Sequence, residues 1–313
     1  MPRSAATTRS AIAALIFAAA VGSATTLGAT PPAPFPPLHV DCRGEPSDRP
    51  TTVLEAGAFG TSADWNRVLD DLSRDGRACA FDRAGLGESP PRPGEKDVLT
   101  KAGEIGDLLD QIGETSPVIL VGHSNGTLYI EAFAALWPGR VAGLVYINGV
   151  GADDLDSPLA LADLRAERQM ADRSVTAARL GLGPIIAGVI TREMDLSPDA
   201  AARKRHGLSC LACLKTARDE DRLIIPGLDA VRRLGPVSPT IPVVVLDGSL
   251  RPKAALAAAW RTAEIAPAAR AQRAWVLDMP GATHVSPLTR DRAYVAAAVS
   301  WLRDLSPHPN VGQ

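Results

Sequence analysis

The sequence predicts an α/β protein built on a mainly parallel sheet with one helical insertion, and three observations carry that expectation. Short apolar runs alternate with helix-patterned stretches from residue 38 onward; one apolar run passes straight into a helix through the tight turn Gly122-His123-Ser124-Asn125-Gly126; and the alternation breaks once, from Gly149 to about Pro239, before it returns. A length of 313 residues suits one such domain carrying an insertion better than two equal domains. With 46% hydrophobic and 22% charged residues the chain can bury a sizeable core, and a net charge of -2 removes the positive footprint that binding nucleic acid needs.

In chain order, residues 1–24 read as a secretory signal. Arg3 and Arg9 precede the apolar run Ala11 to Val21, and Gly22, Ser23 and Ala24 offer a cleavage point, with cleavage after Ala29 as the alternative. An uncleaved anchor is the rival reading, but the run falls short of the ~20 strongly apolar residues of a spanning helix. Export, to the periplasm or the medium, with no stable membrane insertion after signal removal, is the expectation. Residues 25–37 form a Pro-rich linker, 38–148 and 237–305 the α/β core, 149–236 the helical insertion, and 306–313 a frayed tail.

Within the core, His39 to Cys42, Thr52 to Glu55 and Ala78 to Asp82 read as strands. Thr61 with Asp64 resembles a capping box opening a helix that runs to about Ser73. Val98, Ile105, Leu109 and Ile112 share one helical face, and Gly113 ends that helix before the strand Pro117 to Val121. Asn125 to Leu136 is a helix stopped by Pro138, and Val141 to Ile147 an apolar strand. After the insertion come a strand from Ile241 to Leu246, a helix from about Pro252 to Ile265, a strand from Ala274 to Asp278 and a final helix from Asp291 to Asp304.

The chemistry concentrates at Gly122 to Gly126. A turn this tight between strand and helix holds Ser124 at a strained backbone conformation, needs small neighbours where backbones approach, and lifts the hydroxyl above the sheet edge. The following helix aims its N-terminal N–H groups at any oxyanion formed there. A bare G-x-S-x-G is weak; in this context it marks Ser124 as a nucleophile rather than a structural turn serine.

Here the chain resembles the α/β-hydrolase family. Glu55 to Gly60 is similar to the family's oxyanion loop, Phe81-Asp82-Arg83-Ala84-Gly85-Leu86-Gly87-Glu88-Ser89 to its D-x-x-G-x-G-x-S segment, and Gly281-Ala282-Thr283-His284 to its histidine loop. The resemblance spans about residues 38 to 305 and implies an eight-stranded, mostly parallel sheet with helices on both faces, a helical cap, and a Ser, acid, His triad. It implies backbone donors at Ala58 and Asn125, although Ala56-Gly57 stands where members often have His-Gly. Of five histidines, His284 alone has the place and order of the base; His123 is locked in the turn, His39 lies on an early strand, His206 in the charged run Arg203 to His206, read as a solvated helix face, and His308 in the tail.

The acid stays open. Arg251 stands where many members place an Asp, so the acid comes from elsewhere: Asp247 at the end of its strand, or Asp153 or Asp154 from the alternative loop, with Asn148 uncharged and Asp278 facing away. Asp82, Arg83 and Ser89 read as structural turn residues. The resemblance implies an exported serine hydrolase acting on the carboxylic ester, or a related acyl bond, of a small molecule, with no metal or organic cofactor. Ser rather than Asp at the turn argues against dehalogenases and epoxide hydrolases. An aminopeptidase-type serine peptidase is the alternative, with Asp153, Asp154, Asp156 and Glu167 available for a substrate amine; so is a binding protein that has lost turnover.

Four cysteines in an exported chain permit two bridges. The resembled strand order makes the strands of Cys42 and Cys79 neighbours and so implies a bridge between them. Cys210 and Cys213 read as a local bridge or two buried thiols, since His206 alone cannot complete a zinc site.

Overall fold

A computed structural model describes residues 35–192, 194–248 and 254–306. The expected signal and most of the linker, Arg251, His308 and the tail beyond Ser306 lie outside the described residues. Seven strands form one sheet: β1 (Val40–Arg43), β2 (Thr52–Glu55), β3 (Ala78–Phe81), β4 (Val118–His123), β5 (Val141–Ile147), β6 (Val243–Asp247) and β7 (Ala274–Asp278), in the order β1-β3-β2-β4-β5-β6-β7. All pairs are parallel except β1 with β3. This is an α/β-hydrolase sheet with one strand fewer, among the described residues, than the eight expected. The chain ahead of β1 is rich in proline, which cannot donate to a ladder; Leu38 exchanges its backbone bonds with the Gln111 side chain instead (2.8 Å each).

The central strands are buried on both faces, which is why they read as continuous apolar runs. Along β4, Val118 and Leu120 pack on one side with α2 (Val98–Gln111), α3 (Asn125–Leu136) and α8 (Ile224–Leu234). Ile119 and Val121 pack on the other with α1 (Asn66–Leu72) and α10 (Ala293–Leu305). The period-two alternation of a strand thus feeds two separate core layers. Five more helices complete the set among the described residues: α4 (Pro158–Arg179), α5 (Gly183–Arg192), α6 (Pro198–Ser209) and α7 (Leu211–Arg222) follow β5, and with α8 they form an insertion that returns to β6; α9 (Ala254–Arg270) joins β6 to β7. Helix α9 outruns its expected end at Ile265 and continues past Pro267.

Cys42 and Cys79 stand opposite each other in the β1–β3 register, with Cα atoms 4.1 Å apart, and are disulfide-bonded. Cys210 and Cys213 are bonded across the joint between α6 and α7, where Cys210 ends one helix and caps the next. No helix among the described residues is long and apolar enough to cross a membrane.

Candidate active site

Ser124 sits between β4 and α3 with φ 53° and ψ -128°, a conformation that non-glycine residues avoid. Close packing enforces it. A Cβ on Gly122 would stand 2.8 Å from the backbone of Thr127, and one on Gly126 would stand 2.5 Å from the carbonyl oxygen of Glu55. The two glycines let α3 start directly against the ends of β4 and β2. Thr127 N–H caps the turn on Ser124 O (3.0 Å), and Ser124 N–H donates to Ile147 O on β5 (3.0 Å).

The loop after β2 closes over the serine. Gly57 to Gly60 form a turn held by Gly60 N–H to Gly57 O (3.1 Å), with Phe59 at φ 57° in a position that favours glycine. A Cβ on Gly57 would meet the Cβ of Ser124 at 2.8 Å, so this glycine allows the loop to approach Ser124 closely. Arg83 holds the loop from behind: its guanidinium donates to Ala56 O (2.7 Å), Gly57 O (3.0 Å) and the Glu55 carboxylate (2.6 Å). Asp82 and Ser89 act as turn residues, as expected. Asp82 accepts from the N–H groups of Ser62 and Glu88, and Ser89 Oγ donates to Asp82 O.

Ser124, His123, Ala58 and His284 line one cavity of about 400 Å³. Its wall is largely apolar, with Met170, Ile186, Ile190 and Met194 from the insertion and Val285 and Leu288 from the histidine loop. The charged run Arg203 to His206 is solvated only in part: Arg205 and His206 are exposed, but Lys204 is 6% exposed and reaches Asp64 (2.7 Å) and Phe59 O (3.0 Å). Asp64 in turn accepts the Thr61 N–H (3.0 Å), so the expected capping residue also lines the cavity. Asp221 and Glu167 bring further carboxylates to the wall. Burial raises the pKa of Asp221 to about 6, although the Asn125 side chain donates to it (3.4 Å).

The histidine loop is pinned through its backbone. His123 Nε2 lies 2.8 Å from His284 O; a carbonyl can only accept, so that nitrogen carries the proton, and burial lowers the ring's pKa and keeps it neutral. Asn148, at φ 44°, donates to His284 O (3.0 Å) and accepts the Gly248 N–H (2.8 Å), tying the ends of β5 and β6 to the loop. Asp247 is buried at the end of β6 but outside the cavity wall, and its carboxylate meets Arg261, which also bonds Asp278 (2.5 Å). Asp153 pairs with Arg270 (2.9 Å), and Asp154 caps Gly151 N–H (2.9 Å). Among the described residues the donor atoms of His39, Asp82 and Glu88 lie within 4.8 Å of one another. Asp82 is committed there to its turn, so the trio reads as structure.

The sequence matches the model of the alpha/beta hydrolase family over residues 52–298. The chain belongs to that family. A "Putative carbamate hydrolase RutD" from Pseudomonas savastanoi pv. phaseolicola is 34% identical to this hydrolase over 112 residues, 36% of this chain and 43% of that protein. The matched segments span less than half the length of the curated relatives. Among solved structures, a thermophilic esterase from Thermogutta terrifontis superposes with TM-score 0.62 at 20% identity, covering 85% of this chain and 93% of that one. A protein titled a putative epoxide hydrolase from Pseudomonas aeruginosa does so with TM-score 0.66 at 21% identity, covering 85% and 92%.

Several residues of this hydrolase escape a reading of the sequence. Glu220 and Asp221 sit in the strongly charged stretch Arg218 to Arg222, yet they fall on the same face of α7 as Cys213, Leu214 and Ala217. That spacing is the available signal. Lys101 and Glu104 are likewise buried on the apolar face of α2, among Val98, Ile105 and Leu109.

Proposed function

We propose that this α/β hydrolase is an exported serine hydrolase that cleaves a carboxylic ester, or a related acyl bond, of a small apolar substrate through an acyl-enzyme. The observation that carries the reading is Ser124, at positive φ between β4 and α3, opening into a cavity shared with Ala58 and His284. Ser124 Oγ attacks the acyl carbon while His284 takes its proton, and the tetrahedral oxyanion lies against the N–H groups of Ala58 and Asn125. Protonated His284 then gives its proton to the leaving oxygen. Water, activated by the same ring, releases the acid. Asp247 is the acid we assign to orient His284, on the grounds of its burial at the end of β6 next to the loop anchored by Asn148. The helical insertion is the cap, and its apolar wall favours an acyl chain over a polar group.

Two disulfides among the described residues are compatible with an oxidising compartment, and they support the export reading of residues 1–24. A second substrate reading, an aminoacyl amide, is favoured by Asp221 and Glu167 on the cavity wall. Purified protein is treated with a fluorophosphonate probe and assayed on short acyl esters, long acyl esters and aminoacyl amides, beside Ser124→Ala. Labelling and ester turnover that vanish in Ser124→Ala are expected. Undiminished labelling of Ser124→Ala places the nucleophile elsewhere, and turnover of amides alone moves the substrate class.

A further inference from the structure

The charges behind the Gly57 turn form one buried network that joins the sheet to the insertion. Arg83, 1% exposed, donates to Glu220 of α7 through Nε (3.1 Å) and Nη2 (2.9 Å) while its other contacts fall on Glu55 and on the carbonyls of Ala56 and Gly57. Lys101 of α2 lies 3.1 Å from the second Glu220 oxygen and 2.8 Å from Glu104, which accepts the Ala84 N–H (3.0 Å). The Tyr129 ring of α3 lies 5.1 Å from the guanidinium carbon. Burial works against the charges of Arg83 and Glu220, but each is held ionised by the other. A planar guanidinium with both edges occupied in this way has no freedom to turn.

What the guanidinium fixes is the aim of a donor. The carbonyl of Gly57 and the N–H of Ala58 belong to one trans peptide plane and point in opposite directions. Pinning Gly57 O therefore also fixes the direction of the Ala58 N–H, on the loop whose Gly57 abuts Ser124. We propose that Arg83 and Glu220 are positioning residues of the oxyanion hole, so that α7 of the insertion must be docked for the Ala58 N–H to be correctly aimed. The next residue, Asp221, meets the side chain of Asn125, which puts the same helix turn beside the second donor. The insertion therefore helps to set the reaction centre as well as to enclose the substrate. This rests on the assignment of Ser124 as nucleophile and deepens it.

The test compares wild type, Glu220→Gln, Glu220→Asp and Arg83→Lys by melting temperature, by kcat and KM on the best ester of the panel, and by affinity for an alkyl boronic acid, which forms a tetrahedral adduct with a nucleophilic serine. Removing an oxyanion donor outright costs roughly 10²–10³ in kcat, so misaiming one should cost about tenfold or more. Glu220→Gln is expected to lose about tenfold or more in kcat and in boronate affinity with KM within about twofold, and Glu220→Asp to recover part of both. Arg232→Gln on α8, which cuts the exposed pair with Asp156 ahead of α4, serves as the control and should leave kcat unchanged. Folded Glu220→Gln and Arg83→Lys that keep wild-type kcat and boronate affinity overturn the proposal. So does a loss confined to KM, or one that tracks melting temperature across the set. Failure of the underlying reading looks different: wild type itself then neither binds boronate nor loses activity on Ser124→Ala.

Discussion

Gly57 and Ser124 are so close that a methyl group added to the glycine would stand 2.8 Å from the serine Cβ, with His123 O at 3.1 Å behind it. No real side chain occupies that space, so Gly57→Ala must push the loop off the turn. We expect kcat to fall at least about tenfold and stability by about 1 to 3 kcal/mol, as for an overpacked site. Kinetics beside a thermal melt measure both, and an unchanged kcat contradicts the close approach.

The backbone at Ser124 separates two variants that are alike in activity. Both Ser124→Ala and Ser124→Gly lack the hydroxyl, but only glycine relaxes at φ 53° and ψ -128°. The glycine variant is expected to be the more stable of the two by about 1 kcal/mol, read as a higher melting temperature. Equal melting temperatures would mean that the turn stores no strain.

Asp247→Asn is expected to lower kcat steeply, by up to ~10⁴ if the imidazole loses its orienting partner, and Asp153→Asn to leave it near wild type. The Arg261 contact sharpens the comparison, since Arg261→Ala frees one partner of Asp247 without removing the carboxylate. The opposite ranking of the two aspartates, measured on one ester, moves the acid to the segment after β5.

The Cys42–Cys79 bond closes a segment of sequence separation 37 that holds β2 and α1. Chain entropy puts its contribution at about 3 to 4 kcal/mol, an upper-end figure. Replacing both cysteines by serine should lower the urea midpoint accordingly. Free thiols at both positions in protein recovered from an oxidising compartment would exclude the bond.

Glu131 gives a pH dependence with a definite sign. Burial raises its carboxyl to about 7, with Arg270 only partly offsetting this, whereas in the unfolded chain it titrates near 4.5. Between those values the folded protein retains a proton that the unfolded chain has released, so this group's contribution to stability declines as pH rises from about 4.5 to about 7 and is level above. Glu131→Gln removes that decline. Its melting temperature should therefore gain on wild type from pH 5 to pH 8, and a constant difference would refute the shift.

Much of the sheet was legible because its signals are local. Thr52–Glu55, Val141–Ile147, Ala274–Asp278 and the helix Asn125–Leu136 stand where pattern and flanking breakers put them. The charges around the site were not, because their burial is decided by chain far away. Arg83 reads as a turn residue until Glu220, 137 positions on, is packed against it, and Lys204 reads as solvated until it meets Asp64, 140 positions back. Among the described residues no eighth strand precedes β1, where Pro36 and Pro37 lack the N–H groups that a ladder needs. Asp247 was placed at the end of its strand, but its tie to Arg261 depends on how α9 returns over β6, which no short-range pattern encodes.

Strands β5 and β6 are hydrogen-bonded neighbours, so the helices between them leave and rejoin the sheet at adjacent points. By that geometry the segment resembles an interchangeable module, one that recombination could replace without disturbing the strands. The ion pairs forbid so simple an exchange. A foreign module lacking Lys204 and Glu220 would strand the buried Asp64 and leave the buried Arg83 short of one carboxylate, and an unmatched buried charge costs about 3 to 5 kcal/mol. Viable chimaeras of this chain must therefore inherit the two partners with the graft, or lose the charges they serve at the same step.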